Sequence, residues 1–281
     1  MLAFFKHVGN EFIPLPFAAS QWSRQTVNGT AVTGLATWAL ERDRGADDMH
    51  PHRLTVDLLR QPRFEPMMVR TLPIHAGKTV RIVDVEIEQG AVIVARASLV
   101  LTRTSANPPG TRWAPAQRAY DIPSDELLPP EGPGIVWGSD AHPGGWSAAM
   151  ADHQNDSRKR LWVRQAAVVD GADPTPFVRA AMAAELANTL TSWGDTGIGF
   201  INHDITMCLA RLPVGVEIGL EAENHLAVNG IAAGTATLFD RAGAIGTCVA
   251  GSIANAFTSV DATSKAGSWD ESARERSKVT R

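Results

Sequence analysis

Two cysteines in 281 residues, Cys208 and Cys248, are too few for a disulfide framework. Both fall inside strand-like runs, where a small buried hydrophobe in a reducing compartment is the expected role, ahead of a disulfide or a metal pair. Basic charge is not in excess either: 26 Lys and Arg against 30 Asp and Glu give a net charge of −4 and a pI near 6.1. That balance excludes a global attraction for nucleic acid or for an anionic membrane surface. Long apolar runs are missing, and no stretch reaches the ~20 apolar residues that a membrane span needs. Residues 1–30 lack a charged start, a continuous apolar segment and a small-residue cleavage site, so a cytoplasmic protein is expected. The eight histidines are scattered, without a His-x-x-Glu-His or His/Cys cluster, so no metal is expected. Neither a Gly-x-Ser-x-Gly elbow nor a P-loop occurs.

What is present suffices for a core: 44% apolar and 20% charged residues are ordinary for a globular chain, and the length suits two domains of roughly 100–150 residues. Residues 1–27 read as short strands at 3–7 and 11–14 with a loop in which Trp22 covers apolar surface. A helical pattern then runs from Asn28 through Val32, Leu35 and Ala39 to a glycine cap at Gly45. Strand-like runs follow at 52–60, 67–75, 79–89 and 91–102, the alternation clearest in Val83, Val85, Ile87 and in Val94, Leu99, Leu101. Residues 103–132 are Pro-rich and read as a linker. Strand-like 134–138, 145–152 and 161–169, a helix from Thr175, and strands at 203–211, 216–222, 231–240 and 244–257 complete the pattern. Residues 259–281 are polar, without apolar spacing, and read as a disordered tail.

Helix then four strands thus occurs twice. Residues 52–62 (HRLTVDLLRQP) set on 203–213 (HDITMCLARLP) match at His52/His203, Thr55/Thr206, Leu58/Leu209, Arg60/Arg211 and Pro62/Pro213, an offset of 151. Carried back into the helices, the offset sets Leu35 on Leu186 and Gly34 on Glu185. Beyond the first long strand the register is expected to drift by two residues, with Gln89-Gly90 set on Ala242-Gly243. An internal duplication explains this, and it separates residues kept in both copies from those present in one. His52 and His203 are then expected at strand entries, bonding backbone. Glu185, Asn202 and Asp204, which face Gly34, Pro51 and Arg53, are free to be functional.

Residues 175–213 carry the most informative of these. Thr175 can cap a helix with Pro176 at its first position, and Val178, Met182, Leu186 and Leu190 line one side. Glu185 projects at that same side. A carboxylate facing a core must be paired, hydrogen-bonded or open to a ligand; alternatively, this edge of the helix simply faces water. Arg158-Lys159-Arg160, after Asn155-Asp156-Ser157, reads as a solvated hairpin turn ahead of a site for the phosphates of a nucleotide-bearing ligand.

The segment 14–22 before the first helix, the run Arg53-Leu-Thr-Val-Asp-Leu-Leu-Arg60, residues 91–101, residues 200–213, and Thr235 to Asp240 with Gly243 together resemble the acyl-CoA thioesterase II family across about residues 10–258. The resemblance implies an α+β double hotdog: two tandem hotdog folds, each a long helix wrapped by an antiparallel sheet. It divides the chain into an N-terminal hotdog (1–105), a linker (106–132), a C-terminal hotdog carrying the site (133–258) and a tail (259–281). It also implies hydrolysis of an acyl-CoA to free acid and CoA. In that family an Asp in the second helix, a Thr or similar group at the mouth of the next strand and a Gln in the last strand position water. Carried over, these fall on Glu185, Asn202 and Ala250. Glu keeps a carboxylate, Asn keeps a donor and an acceptor, and Ala250 keeps nothing, so either another group such as Asn188, as a substrate-binding residue, or an ordered water is expected to fill in, or the site is degraded. No cofactor is implied beyond the coenzyme A of the substrate. A homo-oligomer is compatible with the family. The competing readings are a catalytically weak acyl-thioester binding protein, because of Ala250, and a hotdog enoyl-CoA hydratase using His203 and Asp204. The second is disfavoured because neighbours in a strand point to opposite faces.

Overall fold

The computed structural model describes residues 2–21, 23–43, 49–113, 119–255 and 260–263. The Trp22 lid and the Gly45 cap lie outside these residues, as do residues 264–281 of the tail. In chain order the elements are β1 (Ala3–Val8), β2 (Glu11–Pro14), α1 (Gly29–Asp43), β3 (His50–Leu58), β4 (Met67–Ala76), β5 (Val80–Gln89) and β6 (Val92–Thr102). Next come β7 (Gly134–Ser139), β8 (Trp146–Ser147), β9 (Lys159–Arg164), β10 (Ala167–Val169), α2 (Pro176–Glu185), α3 (Ala187–Ser192), β11 (Trp193–Gly194) and β12 (Gly197–Ile198). The last four are β13 (Phe200–Leu209), β14 (Glu217–Val228), β15 (Ile231–Asp240) and β16 (Gly243–Ala254).

Among the described residues, fourteen strands form one sheet in the order β10-β1-β2-β4-β5-β6-β3-β13-β16-β15-β14-β9-β7-β8. The order mirrors itself about the β3–β13 pair. These two duplicated strands run antiparallel with Thr55 opposite Thr206, and the two hydroxyls, 151 residues apart, meet at 3.0 Å. A pseudo-two-fold axis therefore passes through equivalent threonines. The same offset carries β5 onto β15 end to end, carries the pair Val85/Ala97 onto Ala236/Cys248, and places the bulge after Ile87 on the bulge after Leu238. The expected drift in register is not found. Sequence similarity fades along these strands because outward-facing side chains are free to vary, while turn length and pairing are kept.

Each helix packs on the sheet of its own half, and the two helices cross at Gly34. A Cβ there would lie 2.9 Å from Met182 Sδ and 3.1 Å from Val168 Cγ2, so glycine lets the helices meet without displacing either side chain. The apolar core is continuous, with Leu35, Leu54 and Val85 in the same cluster as Met182, Ile205 and Ala236. As expected, Thr175 caps α2, its Oγ accepting from Val178 N–H at 3.2 Å with Pro176 behind it. Asn28 does the same for α1 through Ala31 N–H at 2.7 Å.

Four local expectations fail. The second helix is interrupted at Leu186, whose ψ of −2° tightens the turn there and separates α2 from α3; apolar periodicity is blind to a change at one residue. Residues 145–152 hold only the two-residue β8 before a 3-10 turn at Met150–His153. The Arg158–Arg160 run is not a solvated turn. Lys159 is buried, its ammonium donating to the carbonyls of Asn155 and Ser157 and to Asn155 Oδ1, while Arg158 pairs with Glu221 and Arg160 with Asp140. At the start of the tail, Val260 bridges Ile198 and Ala262 is buried, so the chain stays tied down through this point. Within the Pro-rich segment, Tyr120, Ile122 and Leu128 pack on Trp146, Trp162 and Phe239.

Candidate functional site

Glu185 is the last residue of α2, and the structure turns it inward: it is buried, which rules out the water-facing reading. Its carboxylate lies against the first turn of α1 from the other half of the chain. Thr30 Oγ1 donates to Oε2 at 2.7 Å, and Asn202 Nδ2 donates to Oε1 at 3.2 Å. Gly29 makes room for this contact, since a Cβ at that position would fall 2.2 Å from Oε1. Glu185 and Asn202 are thus brought together as expected, with Thr30 as a third member. Nothing in local spacing could have found Thr30, which stands 155 residues upstream of its partner.

Burial pushes the Glu185 carboxyl above the ordinary carboxylate range, and the Thr30 and Asn202 bonds oppose that rise without cancelling it. One donor on each oxygen leaves further lone pairs open, so the group can still accept a hydrogen bond from water or a substrate. A carboxyl raised in this way holds a proton more tightly than an exposed one, and proton affinity is the property a general base draws on.

Asn188 lies on α3 and is committed locally. Its Nδ2 donates to Phe200 O at 3.0 Å and its Oδ1 accepts from Ser192 Oγ at 3.0 Å, pinning α3 to the start of β13. Ala250, opposite Ile205 and Gly234, is buried and presents a methyl group to the core.

His203 and Asp204 do not point apart. The β13–β16 ladder shifts register between Asn202 and Asp204, a bulge that puts two successive residues on one face, and His203 Nδ1 meets Asp204 Oδ1 at 2.9 Å. The pair borders Gly251, with the His203 side chain 53% exposed. His52, by contrast, bonds backbone as expected, Nδ1 to Leu209 O at 3.0 Å. Among the described residues no group of three His, Cys, Asp or Glu could hold a metal ion, and no helix is long and apolar enough to cross a membrane.

Residues 18–102 match the family model described as the acyl-CoA thioesterase N-terminal domain, and residues 103–249 match that of the acyl-CoA thioesterase C-terminal domain. Thr30 falls in the first match, Glu185 and Asn202 in the second. Among solved structures, the chain is similar to a tesB protein from Mycobacterium avium subspecies paratuberculosis, with 16% identity and a TM-score of 0.63 over 89% of this chain and 95% of that one. It is similar to an acyl-CoA thioesterase II, TesB2, from Mycobacterium marinum, with 14% identity and a TM-score of 0.59 over 89% and 93%. A hot dog fold protein of unknown function from Alicyclobacillus acidocaldarius shares 12% identity with a TM-score of 0.65 over 90% and 96%. At such identities the structural likeness shows the fold alone, which is an α+β hotdog. No curated protein matches the sequence.

Proposed function

The chain belongs to the acyl-CoA thioesterase family, and from that premise we propose that it hydrolyses an acyl-CoA to the free acid and coenzyme A with Glu185 as general base. The observation that carries this reading is the burial of Glu185 between the two halves, held by one donor from each and with its proton affinity raised. In the proposed step, Glu185 takes a proton from water as the water oxygen bonds to the thioester carbonyl carbon, and the carbonyl π pair moves onto oxygen. The first turn of α1, whose leading amides lack intrahelical acceptors, faces the place where that charge develops. Collapse re-forms the carbonyl and breaks the C–S bond, and the departing thiolate recovers the proton from Glu185. Asn202 orients the carboxylate and the water.

The mirrored strand order and the Thr55–Thr206 axis support reading the architecture as a double hotdog, with units 1–105 and 133–258 joined by 106–132. The acyl chain would run between helix and sheet. Coenzyme A enters only as part of the substrate, and copies of this chain are free to assemble further.

Thiol release from a panel of acyl-CoAs, short to long, tests the proposal. Turnover by the wild type, lost in Glu185→Ala, is the expected result. Thermal stabilisation by acyl-CoA without turnover of any substrate would replace it with a binding function.

A further inference from the structure

The hydrolase reading leaves the expected position on the last strand without a polar group, because Ala250 offers only a methyl. The next inward residue on β16 is Ser252. It stands directly opposite Asn202 in the β13–β16 ladder, at the last pair before the bulge, and it is 1% exposed. Directly opposed residues hold their Cβ atoms about 4.5–5.5 Å apart. A single water can therefore bridge the Ser252 hydroxyl and the Asn202 side chain, which itself reaches Glu185 at 3.2 Å.

Two features separate Ser252 from an ordinary small core residue. Its other cross-strand neighbour is Ala232, so of its two directly opposed residues only Asn202 offers a polar side chain to this buried hydroxyl; a hydroxyl is costly to bury away from polar groups. Moreover, the duplication supplies a control. The pair equivalent to Asn202/Ser252 is Pro51/Leu101, a β3–β6 pair with both members buried and apolar, and the equivalent of Glu185 is Gly34. Three inward positions are polar in one half and apolar in the other. A packing role common to both halves would not need that change.

We propose that the Ser252 hydroxyl holds the attacking water beside Asn202, completing the group that Glu185 and Asn202 begin. This rests on reading Glu185 as the base. Ser252 accepts a hydrogen bond from the water, or donates one to it, while Glu185 removes the proton that leaves as the C–O bond forms. Ser252 itself forms no covalent bond.

The test uses the full chain and the acyl-CoA that the wild type turns over best. Ser252→Ala is expected to lower kcat by roughly 10²-fold with KM changed by no more than about 3-fold, as for loss of a group that acts in the transition state. Its thermal midpoint should match the wild type, and Ser252→Thr, which keeps the hydroxyl, should recover most of the rate. Should the alanine variant fail to fold, Ser252→Cys carries the same expectation, being close in volume but only a weak donor. Unchanged kcat in Ser252→Ala, with turnover still abolished in Glu185→Gln, would overturn the role of Ser252 and leave the hydrolase standing. A loss seen only in KM, or a loss that Ser252→Thr does not relieve, would also overturn it. No turnover by the wild type would remove both.

Discussion

At the scale of single residues, the proposed chemistry gathers on Glu185, whose place against the core was partly legible in the sequence. Its place three residues after Met182 put it on an apolar side, and the duplication set it against Gly34, marking it as a residue of one copy only. Asn202 was marked by the same comparison, and the structure supplies its bond to Glu185. Thr30 was not, because a contact between a helix end and a helix start in different halves leaves no periodic signal. Thr30→Val removes the shorter of the two bonds to the carboxylate while nearly keeping volume. The Thr30 bond holds the Glu185 carboxyl down against the rise caused by burial, so losing it should raise that pKa further. The limb of the pH–rate profile that reports the ionised base should therefore move to higher pH, which steady-state kinetics between pH 5 and 9 would reveal. An unmoved limb would mean that Thr30 only packs.

Whole elements were read well where a pattern repeats and poorly where one residue breaks it. The cap at Thr175 and the succession of helix and strands in both halves follow from periodicity and punctuation. The kink at Leu186 and the 3-10 turn at Met150–His153 leave no periodic signal, and the bulge at His203, which recurs at His52 in the other half, is invisible to side-chain alternation. Two predictions belong here. Gly34→Leu would force a side chain into the α1–α2 crossing, where Met182 and Val168 already stand at contact distance; overpacking of this kind costs about 1–3 kcal/mol and should lower the thermal midpoint. The second concerns the loop between β7 and β9. His153 is buried there, its Nδ1 3.0 Å from Ser139 Oγ and its Nε2 3.1 Å from Ser147 Oγ. Burial first, and then the neighbouring His142, hold its imidazole down at about 4. The unfolded chain takes up this proton near pH 6.5 and the folded chain refuses it until about pH 4, so folding loses stability as pH falls through that window. The loss amounts to up to about 3 kcal/mol. Urea midpoints at pH 7.5 and 5 should differ accordingly, and His153→Gln should flatten the difference; an equal dependence in the variant would assign the effect elsewhere.

At the scale of the molecule, a duplicated unit has become asymmetric. Turn lengths, strand registers and even a bulge survive in both halves, yet Gly34, Pro51 and Leu101 stand where the other half has Glu185, Asn202 and Ser252. The N-terminal half contributes the helix start and Thr30, and the C-terminal half contributes the acid and the sheet. On the proposed reading there is one site per chain, and it draws on both halves. Most of this plan was legible as a repeat at an offset of 151, because a duplication preserves backbone geometry longer than it preserves side chains. The site's closure across the two halves was not, since it depends on how the helices cross. The central claim is that the buried Glu185 carboxylate is the base for thioester hydrolysis. Its most direct test is the pH dependence of kcat/KM for thiol release, measured for the wild type and for Glu185→Gln. The wild-type rate should rise with pH through an apparent pKa above the ordinary carboxylate range, while Glu185→Gln should lose roughly 10²–10⁴-fold in rate and lose that limb. A variant that keeps both the rate and the limb would contradict the account.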